Sequence, residues 1–312
     1  MKTVLITGSA GCIGTNLTKK LLEGNYYVIG IDNFYSSSPK NVGIFKNNPK
    51  YRFIKHDVRK QIKFLGKLDE IYNLASPASV PFITKNPIFT LETSVLGITN
   101  MAKLAKLKGA KLLQASTSEA YGDPLEHPQQ EDYRGNVNTV GPRACYDEGK
   151  RAAETICYEF FNQGVDVHIV RIFNTCGPYT NPEDGRVLTN LIVQALKDKD
   201  LTVYGNGYQT RSFCYVDDLL AGFIAFMNLK KRYLGPINIG NPREITILRL
   251  AEIIKKLIPE SKSKIVFKPL PKDDPEKRKP DISRAKEVLG WKPKVGLEEG
   301  IKKIIEYLRT QV

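Results

Sequence analysis

The sequence is poor in cysteine and histidine, and it has no long hydrophobic run. Its five cysteines are scattered among 312 residues without a Cys-x-x-Cys pair, which excludes a disulfide scaffold and an ordinary zinc site. The three histidines share no metal-ligand spacing, so we expect no metal. No apolar run approaches the ~18 residues that a membrane helix needs, and glycines interrupt the N-terminus where a signal peptide has its apolar block. We therefore expect a cytoplasmic protein with no membrane partner.

Positive charge is in excess, because 47 Lys+Arg against 33 Asp+Glu give a formal net charge of +14. This balance permits an anionic partner, although a lysine-rich solvated surface explains it as well. The sequence has no zinc finger, aromatic RNA-binding motif or basic low-complexity arm, so nucleic acid is not an expected partner. A phosphorylated small molecule fits the charge equally well.

Short β-branched or apolar runs alternate with helical stretches in the first half of the chain. Strands are predicted at 3–7, 26–31, 51–55, 69–75, 110–116 and 165–171, and helices at 13–24, 85–108 and 146–163. Strands separated by helices indicate right-handed crossovers and a parallel sheet that is covered on both faces. The predicted fold class is α/β, a Rossmann-type doubly wound parallel sheet with a smaller C-terminal substrate-binding α/β region.

The pattern is less regular after about residue 174. Helices are predicted near 186–198, 215–229, 246–258 and 297–309, and short strands near 201–204 and 236–239. We expect a nucleotide-binding domain at 1–174, to which 215–240 returns, and a mainly substrate-binding domain at 175–312. The segment 269–280, PLPKDDPEKRKP, is too rich in proline and charge for regular structure. It is either a solvated connector or a loop that brings charge to a site.

Three glycines follow the first predicted strand and open the first helix. In Gly8-x-x-Gly11-x-x-Gly14 the glycines let the backbone turn tightly and approach a pyrophosphate at a helix N-terminus. Glycines also serve ordinary turns, so the triplet alone is a weak signal. Asp32 ends the second strand eighteen residues later, where a carboxylate accepts hydrogen bonds from an adenosine ribose and repels a 2′-phosphate. The combination predicts NAD rather than NADP as the cofactor.

Tyr146-x-x-x-Lys150 opens the helix predicted at 146–163. The spacing places both side chains on one helix face. A free tyrosine has a pKa of ~10, and a neighbouring ammonium and a positive nicotinamide ring would lower it. A second polar cluster, Ser116 to Glu119, ends the fifth strand, where ligands bind in such sheets. There Thr117 could bind a reacting hydroxyl and Glu119 could move a proton, whereas the simpler interpretation is a strand-end turn.

These motifs resemble the extended short-chain dehydrogenase/reductase family, and longer strings resemble its UDP-glucuronate decarboxylases, also called UDP-xylose synthases. The strings are ASPAS (75–79), ASTSEAYGDP (115–124), GPRACYDEGKR (141–151), RIFNTCGP (171–178), TVYGNGYQTRSF (202–213) and DDPEKRKPDI (273–282). The resemblance implies NAD-dependent decarboxylation of UDP-glucuronate to UDP-xylose through a UDP-4-keto sugar, with NAD regenerated in each cycle.

The resemblance also implies roles for individual residues. Tyr146 with Lys150 would remove the proton of the sugar C4 hydroxyl, Thr117 would position the C4 oxygen, and Ser118 with Glu119 would act around C5. Arg278 would hold the carboxylate, which makes the segment 269–280 a substrate loop. The expected contacts to UDP come from Asn174, Arg186, Gln209 and Arg211. The expected contacts to NAD come from Gly8, Gly11, Cys12, Ile13, Gly14, Asp32, Asn33, Phe34, Ser36, Asp57, Val58, Leu74, Ser76, Thr93, Tyr146, Lys150 and Phe173.

Two positions depart from the family pattern. Many decarboxylases have lysine where this chain has Glu92, and Tyr179 replaces a common arginine. A negative charge beside a glucuronate carboxylate is unfavourable unless Glu92 turns away or pairs with a base. Alternatives therefore stay open: a nucleotide-sugar 4,6-dehydratase, a 4-epimerase on a neutral UDP-sugar, or a non-catalytic NAD-binding protein. Dehydratases place an Asp-Glu pair after the threonine, where this chain has Ser118.

The two long helices of the first half also predict the assembly. Both carry apolar residues that either pack on the sheet or meet a second subunit: Ile88, Leu91, Val95, Ile98, Ile156, Phe160 and Phe161. Because relatives pair two such helices across a subunit interface, we expect a homodimer. Release of the 4-keto sugar together with NADH is a further outcome that the sequence leaves open.

Overall fold

The computed structural model describes residues 1–269 and 278–312, so most of the charged segment predicted at 269–280 lies outside the described residues. The strands are β1 (Lys2–Thr7), β2 (Tyr26–Asp32), β3 (Tyr51–Lys55), β4 (Glu70–Asn73), β5 (Lys111–Thr117), β6 (Val167–Ile172), β7 (Thr175–Cys176), β8 (Leu201–Tyr204), β9 (Thr210–Ser212), β10 (Cys214–Tyr215), β11 (Ile237–Ile239), β12 (Glu244–Thr246) and β13 (Ile265–Lys268). The helices are α1 (Cys12–Leu22), α2 (Pro39–Gly43), α3 (Val80–Lys85), α4 (Pro87–Lys108), α5 (Ala144–Asn162), α6 (Val187–Leu196), α7 (Val216–Met227), α8 (Ile247–Leu257), α9 (Ser283–Leu289) and α10 (Leu297–Arg309).

Seven strands form a parallel central sheet in the order β11-β6-β5-β4-β1-β2-β3. From β1 the chain first adds β2 and β3 on one side, and it then adds β4, β5 and β6 on the other. The direction in which the chain adds strands therefore reverses between β1 and β4. This topology confirms the predicted doubly wound α/β fold, and ligands bind in such sheets at the carboxyl ends of the strands beside the reversal.

Residues of β1 pack on both faces of the sheet, because successive side chains of a strand point to opposite sides. Val4 and Ile6 lie in a core with residues of α1 and α7, whereas Leu5 lies in a second core with residues of α4 and α5. Burying one such side chain completely contributes ~1.5–3 kcal/mol. Both faces are thus covered by helices, which explains why the strands are almost continuously apolar.

In the described part of the second half, the chain adds three two-stranded sheets, β10-β7, β12-β9 and β13-β8. The long predicted helices and strands lie within a few residues of their predicted positions. Short elements such as α2, α3 and α9 were not predicted, since one or two turns show too little periodicity. No helix within 1–269 or 278–312 combines the length and apolarity that crossing a membrane requires.

Candidate active site

A cavity of about 1090 Å³ runs along the carboxyl edge of the central sheet. Its wall begins at the loop after β1, passes the ends of β4, β5 and β6, and continues to β9 and α10. Single small-molecule sites usually have volumes of ~300–1,000 Å³. The cavity is therefore large enough for an extended ligand or for two neighbouring ones.

The glycine loop forms one end of this cavity. A Cβ atom on Gly14 would lie 2.2 Å from the carbonyl oxygen of Gly8, and one on Gly8, whose φ is +69°, would lie 2.9 Å from the backbone of Ala75. Both positions therefore require glycine. Helix α1 begins directly after Gly11, with no acidic residue in its first turn. Its N-terminal amides and dipole are suited to a phosphate group.

Asp32 holds its carboxylate at the wall of the cavity, just beyond the glycine loop. One oxygen accepts a hydrogen bond from the amide of Ala10 at 3.0 Å, and the other accepts from the Phe34 amide at 2.8 Å and from Ser37 Oγ at 2.9 Å. A carboxylate accepts about four hydrogen bonds. The side chain is thus fixed in place and can still accept a bond from a ligand hydroxyl.

Most of the expected cofactor contacts line the cavity, but two do not. Those in the wall are Gly8, Gly11, Cys12, Ile13, Gly14, Asp32, Asn33, Ser36, Val58, Leu74, Ser76, Thr93, Tyr146, Lys150 and Phe173. Phe34 adopts a φ of +63° and stacks on Phe53 with 5.2 Å between ring centroids. Asp57 forms an ion pair with Arg59, whose Nη2 lies 2.8 Å from Asp57 Oδ2. Both side chains thus have local partners, and their contact with the cofactor stays a prediction.

Glu92 also forms an ion pair with Arg59. Its Oε2 atom accepts a hydrogen bond from Arg59 Nη1 at 2.7 Å, and its side chain is 43% exposed. The wall of the cavity includes Phe89 and Thr93 on the same helix but not Glu92. The carboxylate therefore turns away from the cavity and pairs with a base, which removes the conflict with an acidic sugar that the sequence raised.

Tyr146 and Lys150 lie on the same face of α5, and both side chains are buried in the wall of the cavity. Lys150 Nζ donates a hydrogen bond to the carbonyl oxygen of Ala115 in β5 at 2.8 Å. The same nitrogen lies 5.8 Å from the centre of the Tyr146 ring. The helix and the end of β5 thus fix this pair in one orientation.

Burial has the largest effect on the pKa values of Tyr146 and Lys150. It raises the pKa of Tyr146 to about 12, although a hydrogen bond with Thr117 acts in the opposite direction. Burial also lowers the pKa of Lys150 to about 8. The Tyr146-x-x-x-Lys150 motif predicts a lowered tyrosine pKa from an ammonium and a nicotinamide ring together. The protein groups alone do not produce it, because desolvation disfavours the phenolate.

The polar cluster at the end of β5 continues into a 3-10 helix, Ser118–Tyr121. Thr117 Oγ1 accepts a hydrogen bond from the Glu119 amide at 3.2 Å, which turns the chain so that Thr117, Ser118 and Glu119 all line the cavity. The turn expected from a strand-end Ser/Thr run is therefore present. It also carries the three side chains to the tyrosine, so the structural and functional interpretations of this cluster are compatible.

Glu119 lies between two arginines, Arg278 and Arg143. Arg278 makes a two-pronged contact, in which Nη2 lies 3.1 Å from Oε2 and Nη1 pairs with Oε1, and Arg143 Nη2 lies 2.7 Å from Oε2. Burial opposes ionisation of Glu119, but the two guanidinium groups outweigh it and its pKa lies below the usual range. Glu119 is therefore an ionised hydrogen-bond acceptor at neutral pH.

Arg143 was not identified from the sequence as a site residue. It directly precedes α5 and lies in the wall of the cavity. The sequence feature that could have identified Arg143 is its position three residues before Tyr146. This spacing puts the two residues on the same side of the start of a helix. An arginine at such a position is common on exposed helix ends, so the motif alone did not distinguish it.

The four residues expected to hold UDP line the far part of the cavity: Asn174, Arg186, Gln209 and Arg211. Arg186 pairs with Asp184, with Nη2 3.1 Å from Oδ1, and Arg211 Nη1 donates to the carbonyl oxygen of Thr210 at 2.8 Å. Guanidinium groups bind phosphates with two parallel hydrogen bonds. This end of the cavity therefore has the chemistry of a diphosphate site.

Tyr179, the second departure from the family pattern, also lines the cavity. It adopts a φ of +64°, and its ring meets the edge of Tyr307 with 5.3 Å between centroids. Its carbonyl oxygen accepts a hydrogen bond from Asn41 Nδ2 at 3.1 Å. The last helix of the chain thus reaches the site through Tyr307, a contribution that the sequence pattern did not indicate.

Comparisons with known proteins agree with this geometry. The family model described as GDP-mannose 4,6 dehydratase matches residues 5–304. UDP-glucuronic acid decarboxylase 1 of Danio rerio is 50% identical over 312 residues, which is 100% of this chain and 73% of that protein. UDP-glucuronic acid decarboxylase 3 of Arabidopsis thaliana is 49% identical over 311 residues, which is 99% of this chain and 90% of that protein.

A solved structure shares the whole fold. UDP-glucuronic acid 4-epimerase from Bacillus cereus, in complex with UDP-glucuronic acid and NAD, is 28% identical with a TM-score of 0.86, covering 99% of this chain and 100% of that chain. The matches to the decarboxylases cover this chain from end to end, so they include the segments that carry the glycine loop, the tyrosine–lysine pair and Arg278. The chain therefore belongs to the extended short-chain dehydrogenase/reductase family that includes the UDP-glucuronic acid decarboxylases.

Proposed function

We propose that the protein is an NAD-dependent carboxy-lyase that converts UDP-glucuronate to UDP-xylose and carbon dioxide. The observation that carries this proposal is the contact of Glu119 with Arg143 and Arg278, beside Tyr146 at the end of β5. Two guanidinium groups face Glu119, and burial raises the pKa of the neighbouring Asp147 carboxyl to about 7. The group therefore carries a net positive charge wherever Asp147 is protonated, which suits an acidic substrate. Full-length identity of about 50% to decarboxylases supports the same assignment.

The residues present fit NAD. The two crowded glycines, the N-terminus of α1 and the carboxylate of Asp32 provide a phosphate site and a ribose acceptor. A carboxylate at that position disfavours the 2′-phosphate of NADP. When bound, NAD takes up the hydride from C4 of the sugar and returns it in the same cycle.

The protein residues then supply the proton transfers and the orientation. Tyr146 receives the proton of the C4 hydroxyl, Lys150 holds the ribose side of the site, and Thr117 orients the C4 oxygen. The resulting C4 ketone lies β to the carboxylate, so the C5–carboxylate bond breaks and its electron pair forms an enolate. Arg278 and Glu119 stand at C5, where the enolate carbon takes up a proton from solvent, and Tyr146 returns its proton to the C4 oxygen when the ketone is reduced again. The sum is UDP-glucuronate plus a proton, giving UDP-xylose and carbon dioxide.

The experiment is to incubate the protein and NAD with UDP-glucuronate, UDP-glucose and UDP-N-acetylglucosamine, to separate the products by chromatography, and to measure their masses by mass spectrometry. We expect loss of carbon dioxide from UDP-glucuronate alone. Loss of water from a neutral UDP-sugar would instead identify a dehydratase. Formation of an isomer of unchanged mass would identify an epimerase. Binding of NAD without turnover of any of these sugars would identify a non-catalytic protein. Net NADH together with a 4-keto sugar would show early product release.

We further propose a homodimer that is formed through α4 and α5. These helices pack on each other, and they expose Ile88, Leu96 and Tyr158 at 65%, 42% and 52% of their surfaces. Burial of such side chains against a second copy would remove apolar area from water. Light scattering should give twice the chain mass of 35.1 kDa, whereas a mass equal to one chain would contradict the dimer.

We also propose the division into a nucleotide-binding part, 1–174 with 215–240, and a UDP-sugar-binding part, 175–312. It is supported by the pairing of β11 with β6 in the central sheet and by the position of Arg186 and Arg211 beyond residue 174. A cytoplasmic location is proposed as well, since all five cysteines are free thiols. Cell fractionation tests the location directly.

A further inference from the structure

The peptide bond that follows Arg278 is held by hydrogen bonds to two side chains. The two polar atoms of the peptide between Arg278 and Lys279 are both bonded to buried side chains. The Lys279 amide donates to Oε1 of Gln129 at 2.9 Å, and the Arg278 carbonyl oxygen accepts from Oγ of Ser212 at 3.4 Å. Gln129 and Ser212 are each only 1% exposed. Both side chains that hold this peptide are therefore shielded from water.

Gln129 also binds this segment through its own backbone. Its amide donates to the Lys279 carbonyl oxygen and its carbonyl oxygen accepts from the Asp281 amide, both at 2.9 Å, which makes an isolated parallel bridge between Gln129 and Pro280. Gln129 Nε2 donates to the Glu126 carbonyl oxygen at 2.7 Å, so the side chain is oriented from its own loop. One residue thus makes three hydrogen bonds to the segment that carries Arg278.

The anchor is connected to the central sheet. Asn238 in β11 is fully buried, and its Nδ2 donates to the carbonyl oxygens of Gln129 at 3.0 Å and of Asp281 at 3.1 Å. The loop of Gln129, the edge of the central sheet and the Arg278 segment therefore form one hydrogen-bonded unit. The position of Arg278 relative to Glu119 follows from this unit.

We infer that Gln129 is a positioning residue for decarboxylation, which acts by fixing the Arg278–Lys279 peptide so that the guanidinium reaches C5 and the carboxylate. The inference rests on the proposed function. Gln129 should affect only one half of the reaction. Oxidation at C4 depends on Tyr146 and Lys150 on α5, whereas loss of carbon dioxide depends on Arg278. Misplacement of a catalytic group by about 1 Å can lower a rate by ~10²-fold.

The test compares Gln129→Met with the wild-type enzyme. Methionine keeps the length of the side chain but removes both hydrogen bonds that it makes. We expect carbon dioxide release to slow by about 10- to 100-fold, while single-turnover oxidation at C4, followed as NADH absorbance, keeps its rate. The NADH-containing fraction of the enzyme during turnover should therefore rise. Gln129→Glu keeps an oxygen that accepts from the Lys279 amide, so it should restore part of the carbon dioxide release.

Asp218→Ala is the matched control for lost stability. Asp218 is also buried, and its Oδ2 accepts from the amides of Lys294 and Val295, both at 2.9 Å, but it does not line the cavity. This variant should unfold more easily than the wild type and keep the wild-type NADH fraction. If Gln129→Met behaves like it, the positioning role is wrong while the proposed function stands. If the wild-type enzyme releases no carbon dioxide from UDP-glucuronate, both are wrong.

Discussion

Replacing Arg143 with methionine removes one of the two guanidinium groups that keep Glu119 ionised. The contact joins Arg143 Nη2 to Glu119 Oε2 at 2.7 Å, and the two side chains are only 24% and 13% exposed. A hydrogen bond to a charged group in such a place contributes ~1.5–3 kcal/mol. We therefore expect the pKa of Glu119 to rise when Arg143 is lost, because burial is then opposed by Arg278 alone.

The pH dependence of kcat/KM for UDP-glucuronate measures this change. In the wild type the lowered pKa keeps Glu119 ionised throughout the weakly acidic range. In Arg143→Met, the fall of activity on the acid side should begin at a higher pH than in the wild type, because one of the two groups that lower the pKa of Glu119 is gone. Arg143→Lys keeps a positive charge and should move the profile less. An acid limb of Arg143→Met that coincides with the wild-type limb would refute this role of Arg143.

The free energy of unfolding should depend on pH through the same carboxylate, Glu119. A carboxylate whose pKa is lowered by folding stabilises the protein fully above its unfolded pKa, and this contribution is lost as the pH falls through the lower folded value. Arg143→Met should therefore cost ~1.5–3 kcal/mol of unfolding free energy at pH 7 and less below about pH 4. Urea denaturation at both pH values measures the difference. An equal loss at the two values would mean that Arg143 stabilises the fold by packing rather than by charge.

Three further changes test other parts of the site. Tyr146→Phe should lower turnover by ~10²–10⁴-fold while NAD binding, measured by calorimetry, is retained; wild-type turnover would exclude Tyr146 as the base. Glu92→Gln should leave the KM for UDP-glucuronate nearly unchanged, because its exposed pair with Arg59 contributes only ~0–1 kcal/mol and lies outside the cavity wall; a large change would place Glu92 at the substrate. Gly14→Ala should weaken NAD binding by ~10-fold or more, or ~1.4 kcal/mol, since its Cβ would lie 2.2 Å from the Gly8 oxygen; unchanged affinity would contradict the tight turn.

Long elements and local motifs were predictable because their signals lie within a few residues of one another. The helix over 297–309 and the strand over 51–55 were predicted at the positions where they occur, since apolar residues recur with the period of each structure. The tyrosine–lysine pair was predictable for the same reason, as a spacing of four residues is enough to place both on one face.

Contacts between distant segments were not predictable. Arg143 and Arg278 are 135 positions apart, and nothing local indicates that both reach Glu119. Tyr307 at the wall of the cavity is another example, because an amphipathic last helix is usually interpreted only as packing on the core. The ion pair of Asp57 with Arg59 and the stacking of Phe34 on Phe53 were not predictable either, because they too depend on the tertiary structure.

The sequence by itself determined the fold class, the glycine loop and the placement of the tyrosine–lysine pair on one helix face, because each depends on periodicity or on spacing within one segment. Its longer motif strings indicated the family. Only the tertiary structure decided the direction in which Glu92 points, the double arginine contact of Glu119 and the anchoring of Arg278 by Gln129. The physical reason is that charge and hydrogen bonding act across space. Their partners are chosen by the path of the whole chain rather than by neighbours along it.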